Sequence, residues 1–147
     1  MIYAEAGKFL TDGLRELDRG NVRVALSYFE KAAELVRSPE ILSNLAYCLA
    51  KEKGEFDTAI SLCSEAMEDD SANVMHYLNL GRVYLLCGKK AEAIRVFRNG
   101  LLYEENKKIK DELTKLGWRK IPVIHFLPRE HFLNRCFGAL LHKSRLR

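Results

Sequence analysis

GNVRVALSYFEKA (20–32), GEFDTAISLCSEA (54–66) and GKKAEAIRVFRNG (88–100) are one pattern written three times. Gly20, Gly54 and Gly88 stand 34 residues apart. The same interval separates Ala25, Ala59 and Ala93; Leu26, Ile60 and Ile94; Phe29, Cys63 and Phe97; and Ala32, Ala66 and Gly100. Columns that keep one period of a few tens of residues are the signature of stacked supersecondary units. Within a unit, the steps of four and three from Ala25 to Phe29 to Ala32 lay a small–aromatic–small stripe along one helix face. The small residues admit a neighbouring helix and the aromatic fills the space beside it. The glycine ahead of each stripe suits the left-handed end of a preceding helix.

Working outward, that preceding helix is visible three times: Phe9, Gly13, Leu17; then Leu42, Leu45, Ala46, Leu49; then Tyr77, Leu80, Gly81, Tyr84. Ser38-Pro39 is an N-cap followed by proline at the first helical position, so a helix begins there. Each unit therefore reads helix, tight turn, helix. This 34-residue pattern resembles the tetratricopeptide repeat. The third unit matches best, with Tyr77, Leu80, Gly81 and Tyr84 for W-x2-L-G-x2-Y, and Ala93 and Phe97 for A-x3-F. The first unit has Asp12 where leucine is usual. The second has Ala46 for glycine and Cys63 for the aromatic, and its first helix runs one residue longer before the turn. The closing proline is missing from its usual place in all three. The expected fold is all-α: a solenoid over 1–117 with repeats at about 4–37, 38–71 and 72–104 and a capping helix over 105–117, then a separate segment, 118–147.

Composition agrees with a packed chain. The 147 residues are 48% hydrophobic and 30% charged with only 3 Pro and 9 Gly, which excludes disordered and collagen-like classes. No apolar run is long enough to span a bilayer, and Glu5 and Lys8 interrupt what would be a secretory h-region, so a cytoplasmic protein without a leader is expected. Cys48, Cys63, Cys87 and Cys136 lie far apart with no CxxC pair, and read as small, reduced core residues of a cytosolic protein.

Charge divides the chain. Residues 1–116 hold 17 Lys and Arg against 19 Asp and Glu, while the last 31 residues carry seven bases (Arg119, Lys120, Arg129, Arg135, Lys143, Arg145, Arg147) and one acid, Glu130. Pro122 and Pro128 bracket an apolar stretch that should be extended, and a helix from Pro128 to about His142 would be amphipathic, with Phe132, Leu133, Cys136, Phe137, Leu140 and Leu141 on one half. Such a basic amphipathic tail is similar to extensions of some bacterial tetratricopeptide repeat proteins. Three readings of it stand side by side: packing back on the solenoid, contact with an anionic membrane, or docking to another macromolecule. Nucleic acid is not expected, since the body is slightly acidic and the bases form no long stripe.

No phosphate loop, GxGxxG, HExxH or GxSxG occurs, and the acids punctuate helix surfaces, so no enzyme and no cofactor are expected. His125, His131, Cys136 and His142 are the residues a metal site would use, but their spacings on one helix are five and six rather than three or four, which turns them to different faces and speaks against it. Residues 105–116 fit a cap: Ile109, Leu113 and Leu116 make one stripe, and Lys107, Lys108, Lys110 and Lys115 surround it.

The resemblance implies a concave groove lined by the first helix of each repeat. Carried over position by position, the groove would show Leu10, Leu14 and Leu17; then Asn44, Tyr47 and Lys51; then Leu78, Asn79, Arg82 and Leu85. The family's best-known groove clamps a chaperone C-terminal carboxylate with Lys-x3-Asn, Asn and Lys-x3-Arg. Leu10 and Leu14, Asn44, and Met75 and Asn79 occupy those places, and only Asn44 matches. Leucine cannot donate to a carboxylate, so the expected partner is a peptide or amphipathic helix of another protein, not a chaperone tail. The chain reads as a non-enzymatic adaptor; a peripheral membrane protein and a small repeat-type chaperone are the alternatives.

Overall fold

The structure, a computed structural model, describes residues 1–117. They form α1 (Ile2–Asp18), α2 (Val22–Leu35), α3 (Pro39–Lys53), α4 (Phe56–Asp69), α5 (Val74–Leu86), α6 (Lys90–Gly100) and α7 (Lys107–Lys115), with no strand among the described residues. Met1–Leu113 make one compact unit and Thr114–Arg147 a second. The extended stretch and the amphipathic helix expected beyond Gly117 lie outside the described residues, as do His125, His131, Cys136 and His142.

Local chemistry sets the helix ends. Ser38 Oγ accepts from the Ile41 amide at 3.4 Å with Pro39 at the first helical position, and α3 stops at Gly54, whose φ of +66° is open to glycine and strained for most other residues. Gly20 and Gly88 close the other two hairpin turns in the same backbone region. Asn73 caps α5 by accepting from the Met75 amide at 3.1 Å, and Asn106 opens α7 by accepting from Ile109 N at 3.1 Å.

The hairpins α1–α2, α3–α4 and α5–α6 pack within themselves, and α2 on α3, α3 on α5 and α4 on α5 join successive units. Phe29 and Phe97 are fully buried, as are Ala25, Ala32, Ala59, Ala66 and Ala93. Burying one such ring contributes roughly 1.5–3 kcal/mol. The close approach explains the glycine column: a Cβ on Gly13 would stand 2.6 Å from Phe29 Cε1, and one on Gly81 2.1 Å from Phe97 Cε1. The two departures of the second repeat belong together. Where glycine becomes Ala46, the facing column holds Cys63 instead of phenylalanine, and both are fully buried.

Helices α3 and α5 are buried nearly all round, because each is covered by a partner hairpin and by neighbouring repeats. Burial pushes the Cys48 and Cys63 thiols up to about 12, with Glu52 adding to the effect at Cys48, so both behave as core filler rather than as nucleophiles. On α7, Ile109 and Leu113 are buried and Lys107, Lys108, Lys110 and Lys115 are exposed.

Candidate functional site

The first helices of the three hairpins, α1, α3 and α5, each turn one face to a common groove. The groove, of about 420 Å³, is lined by Leu14, Leu17 and Asp18 of α1, Asn44 and Tyr47 of α3, Met75, Asn79, Arg82, Leu85 and Leu86 of α5, and Lys108 and Glu112 of α7. Leucines on α1 and Met75, Leu85 and Leu86 on α5 give it apolar walls. Its polar groups form two sets.

The first set is ionic. Arg82 Nε donates to Glu112 Oε1 at 3.1 Å, and the guanidinium lies 5.5 Å from the Tyr47 ring centroid, a cation–π distance. Arg82 is 26% exposed and Glu112 16%, so this pair is partly shielded from water and its charges are already matched. Burial pushes the Tyr47 phenol up, with Arg82 opposing, which keeps the hydroxyl protonated at neutral pH. At the mouth, Lys108 Nζ of α7 approaches Asp18 Oδ1 of α1 at 3.9 Å. Both cations that line the groove therefore face a carboxylate of this chain.

The second set lies beneath. Asn44 Nδ2 donates to Glu40 O at 2.8 Å, and Asn79 Nδ2 lies 3.3 Å from both Asn44 Oδ1 and Ser43 Oγ. Ser43 Oγ is in turn 2.9 Å from His76 Nδ1, and His76 Nε2 approaches Asp70 Oδ2 at 3.3 Å. That second approach is an ion-pair distance without the alignment of a hydrogen bond. Burial holds the His76 imidazole below the ordinary histidine range, with Asp70 and then Glu40 opposing it. Serine, histidine and aspartate in a row have the composition of a hydrolase relay, but Ser43 and His76 are fully buried and no substrate carbonyl can reach the hydroxyl. Among the described residues no group of three or more His, Cys, Asp or Glu is placed to hold a metal ion.

Of the residues carried over from the repeat pattern, Leu14, Leu17, Asn44, Tyr47, Asn79, Arg82 and Leu85 come together on this groove. Three do not line it. Leu78 is fully buried, because α5 is the helix most enclosed by its neighbours. Leu10 packs between the cluster of Ala25, Phe29 and Leu45 and that of Ala6, Ala32 and Ile41. Lys51 is exposed near the end of α3. Sequence reasoning placed Met75 only as the occupant of a clamp position, and missed Asp18, Leu86, Lys108 and Glu112. The signal for the last two was available: Lys108 and Glu112 are four apart, one face of α7.

The tetratricopeptide repeat family model matches residues 77–109, the unit whose motif is fullest. The fold of the whole array agrees. Similar solved structures include the Arabidopsis OM64 tetratricopeptide domain, at 23% identity and a TM-score of 0.65, covering 80% of this chain and 98% of that one. The second such domain of human RPAP3, in complex with the HSP70 peptide SGPTIEEVD, superposes at 21% identity and a TM-score of 0.62, covering 81% of this chain and all of that one. The fold is that of a tetratricopeptide repeat solenoid. Repeat after repeat, its first helices supply the groove and its second helices the outer layer, with α7 completing the wall. The first domain of human RPAP3 has the same fold at 22% identity and a TM-score of 0.64, covering 77% of this chain and 90% of that one. Among curated protein sequences, none matches.

Proposed function

We propose that this chain is a non-enzymatic adaptor whose groove takes an apolar-faced helix or peptide of another protein. The observation that carries the reading is the state of the groove's charges. Arg82 is held by Glu112 and Lys108 faces Asp18, while Leu14 and Leu17 supply apolar surface on the α1 wall. An acidic peptide would have to break an existing ion pair and would meet Glu112 and Asp18 as like charges. An apolar face leaves both pairs in place and covers the leucines. RPAP3 domains of the same fold are known with the HSP90 peptide SRMEEVD and the HSP70 peptide SGPTIEEVD. Those sequences are acidic at their ends, and the arrangement here disfavours them. Helix-in-groove binding draws its affinity from a few buried anchors. Here the receiving positions are Leu14, Leu17, Tyr47 and Leu85, with Asn44, Asn79 and Arg82 giving orientation. A cytoplasmic site of action accompanies this reading.

Calorimetric titration of the full chain with two synthetic probes tests it: a leucine-faced amphipathic helix of neutral charge, and SRMEEVD. The helix should bind and SRMEEVD should not. Leu17→Asp and Leu85→Asp should each weaken the helix about tenfold or more, the effect of losing an anchor of roughly 1.4 kcal/mol. Binding of SRMEEVD as tight as that of the helix would overturn the reading.

A further inference from the structure

Under the groove floor the polar contacts run in one line from Asn44 to Asn79, Ser43, His76 and Asp70, and the hydroxyl of Ser43 is its midpoint. Ser43 and His76 are fully buried, and Asn79 and Asn44 are 1% and 4% exposed, so each proton in the line must be assigned to a partner. The Asp70 carboxylate 3.3 Å from Nε2 favours the tautomer that carries its proton there, because a nearby anion attracts the N–H dipole and repels a bare lone pair even without an aligned hydrogen bond. Nδ1 is then an acceptor, and the Ser43 hydroxyl donates to it across 2.9 Å. That leaves Ser43 Oγ free to accept from Asn79 Nδ2 at 3.3 Å. When the ring takes up a second proton, Nδ1 becomes a donor. Ser43 must rotate its hydroxyl to the Glu40 carbonyl, 3.5 Å away, and its oxygen then accepts from His76 and Asn79 together. The charged groups facing the ring are Asp70 at the end of α4 and Glu40 on α3.

We propose that Ser43 is a hydroxyl hinge through which the protonation of His76 sets the orientation and hydrogen-bond strength of the Asn79–Asn44 carboxamide pair on the groove floor. His76 and Ser43 are positioning residues, since neither lines the groove and both act through Asn79. The consequence for a partner rests on the groove reading above: a floor whose Asn79–Asn44 carboxamides are held one way in neutral solution and another in acid. The hinge itself does not depend on that reading.

Nitrogen-15 NMR of the full chain tests it without a partner. At neutral pH the imidazole should carry its proton on Nε2. On acidification the Asn79 side-chain amide should shift with the same midpoint as His76, and in Ser43→Ala that shift should vanish while His76 still titrates. A proton on Nδ1 at neutral pH, an Asn79 amide that stays still while His76 titrates, or a shift that persists in Ser43→Ala would each overturn the hinge. Should Ser43→Ala not fold, the wild-type tautomer and the movement of Asn79 decide alone. Loss of helix binding with the coupled titration intact would count against the groove reading only.

Discussion

The outer repeats and the middle one solve the same packing problem in two ways. In the first and third, a phenylalanine of the second helix presses on a glycine of the first, at Gly13–Phe29 and Gly81–Phe97. In the middle one Ala46 and Cys63 hold those columns, with a methyl group on one side and a thiol on the other. Each column taken singly makes the middle repeat look degenerate. Taken as a pair, the side-chain volume moves from one helix to its neighbour, as a close-packed interior requires. A second contrast lies in the first helices, where the third repeat has buried His76 at the place of buried Ile41 in the second.

The largest effect should separate the two kinds of joint. Phe97→Ala should cost about 3–5 kcal/mol, the range for a fully buried ring, whereas Cys63→Ala should cost on the order of 1 kcal/mol; urea midpoints of the two variants check this. Next, Gly81→Ala should destabilise by about 1–3 kcal/mol although alanine is the better helix former, because its Cβ meets the Phe97 ring. Ala46→Gly should cost the helix-propensity difference of about 1 kcal/mol plus the packing of one fully buried methyl group, together about 1–2 kcal/mol. Pairing Gly81→Ala with Phe97→Cys should cost less than the two singles summed, since the smaller side chain removes the clash. An additive cycle would mean that the middle joint is not the outer joint redistributed.

Acid should sharpen the second contrast. Burial depresses the His76 pKa from 6.5 in the folded chain, so the unfolded chain binds the extra proton first. The stability this confers is complete above the unfolded value and is lost as pH falls through 6.5 towards the folded one. Chemical-denaturation midpoints should therefore drop over that window in the wild type and less in His76→Leu. The smallest effect belongs to the mouth of the groove. Asp18→Asn should change stability by less than about 1 kcal/mol and lose any effect in high salt, since both members of the Asp18–Lys108 pair are more than half exposed.

The repeat, its helix order and most of the groove were legible because a 34-residue period converts one position's role into three. Leu14, Tyr47 and Arg82 were found that way. Leu78 was misplaced because the rule carries over a helix face without knowing how many neighbours cover it, and α5 is covered on most sides. The α7 wall was missed for a related reason: Lys108 and Glu112 belong to no repeat, and their polarity suits solvent as well as a groove. The line from Asp70 to Asn44 was invisible, since it joins residues of α3, α4's end and α5 that no spacing relates. Only the fold brings Ser43 and His76, 33 residues apart, to 2.9 Å.

The adaptor reading stands or falls on where a partner sits. Methyl NMR of the full chain with the neutral leucine-faced helix, titrated to saturation, reads this directly. The prediction is that the methyl signals of Leu14, Leu17, Leu85 and Leu86 shift with one common affinity while exposed Val24 and Leu102 stay in place. Shifts confined to Val24 or Leu102, with the groove leucines unmoved, would contradict it.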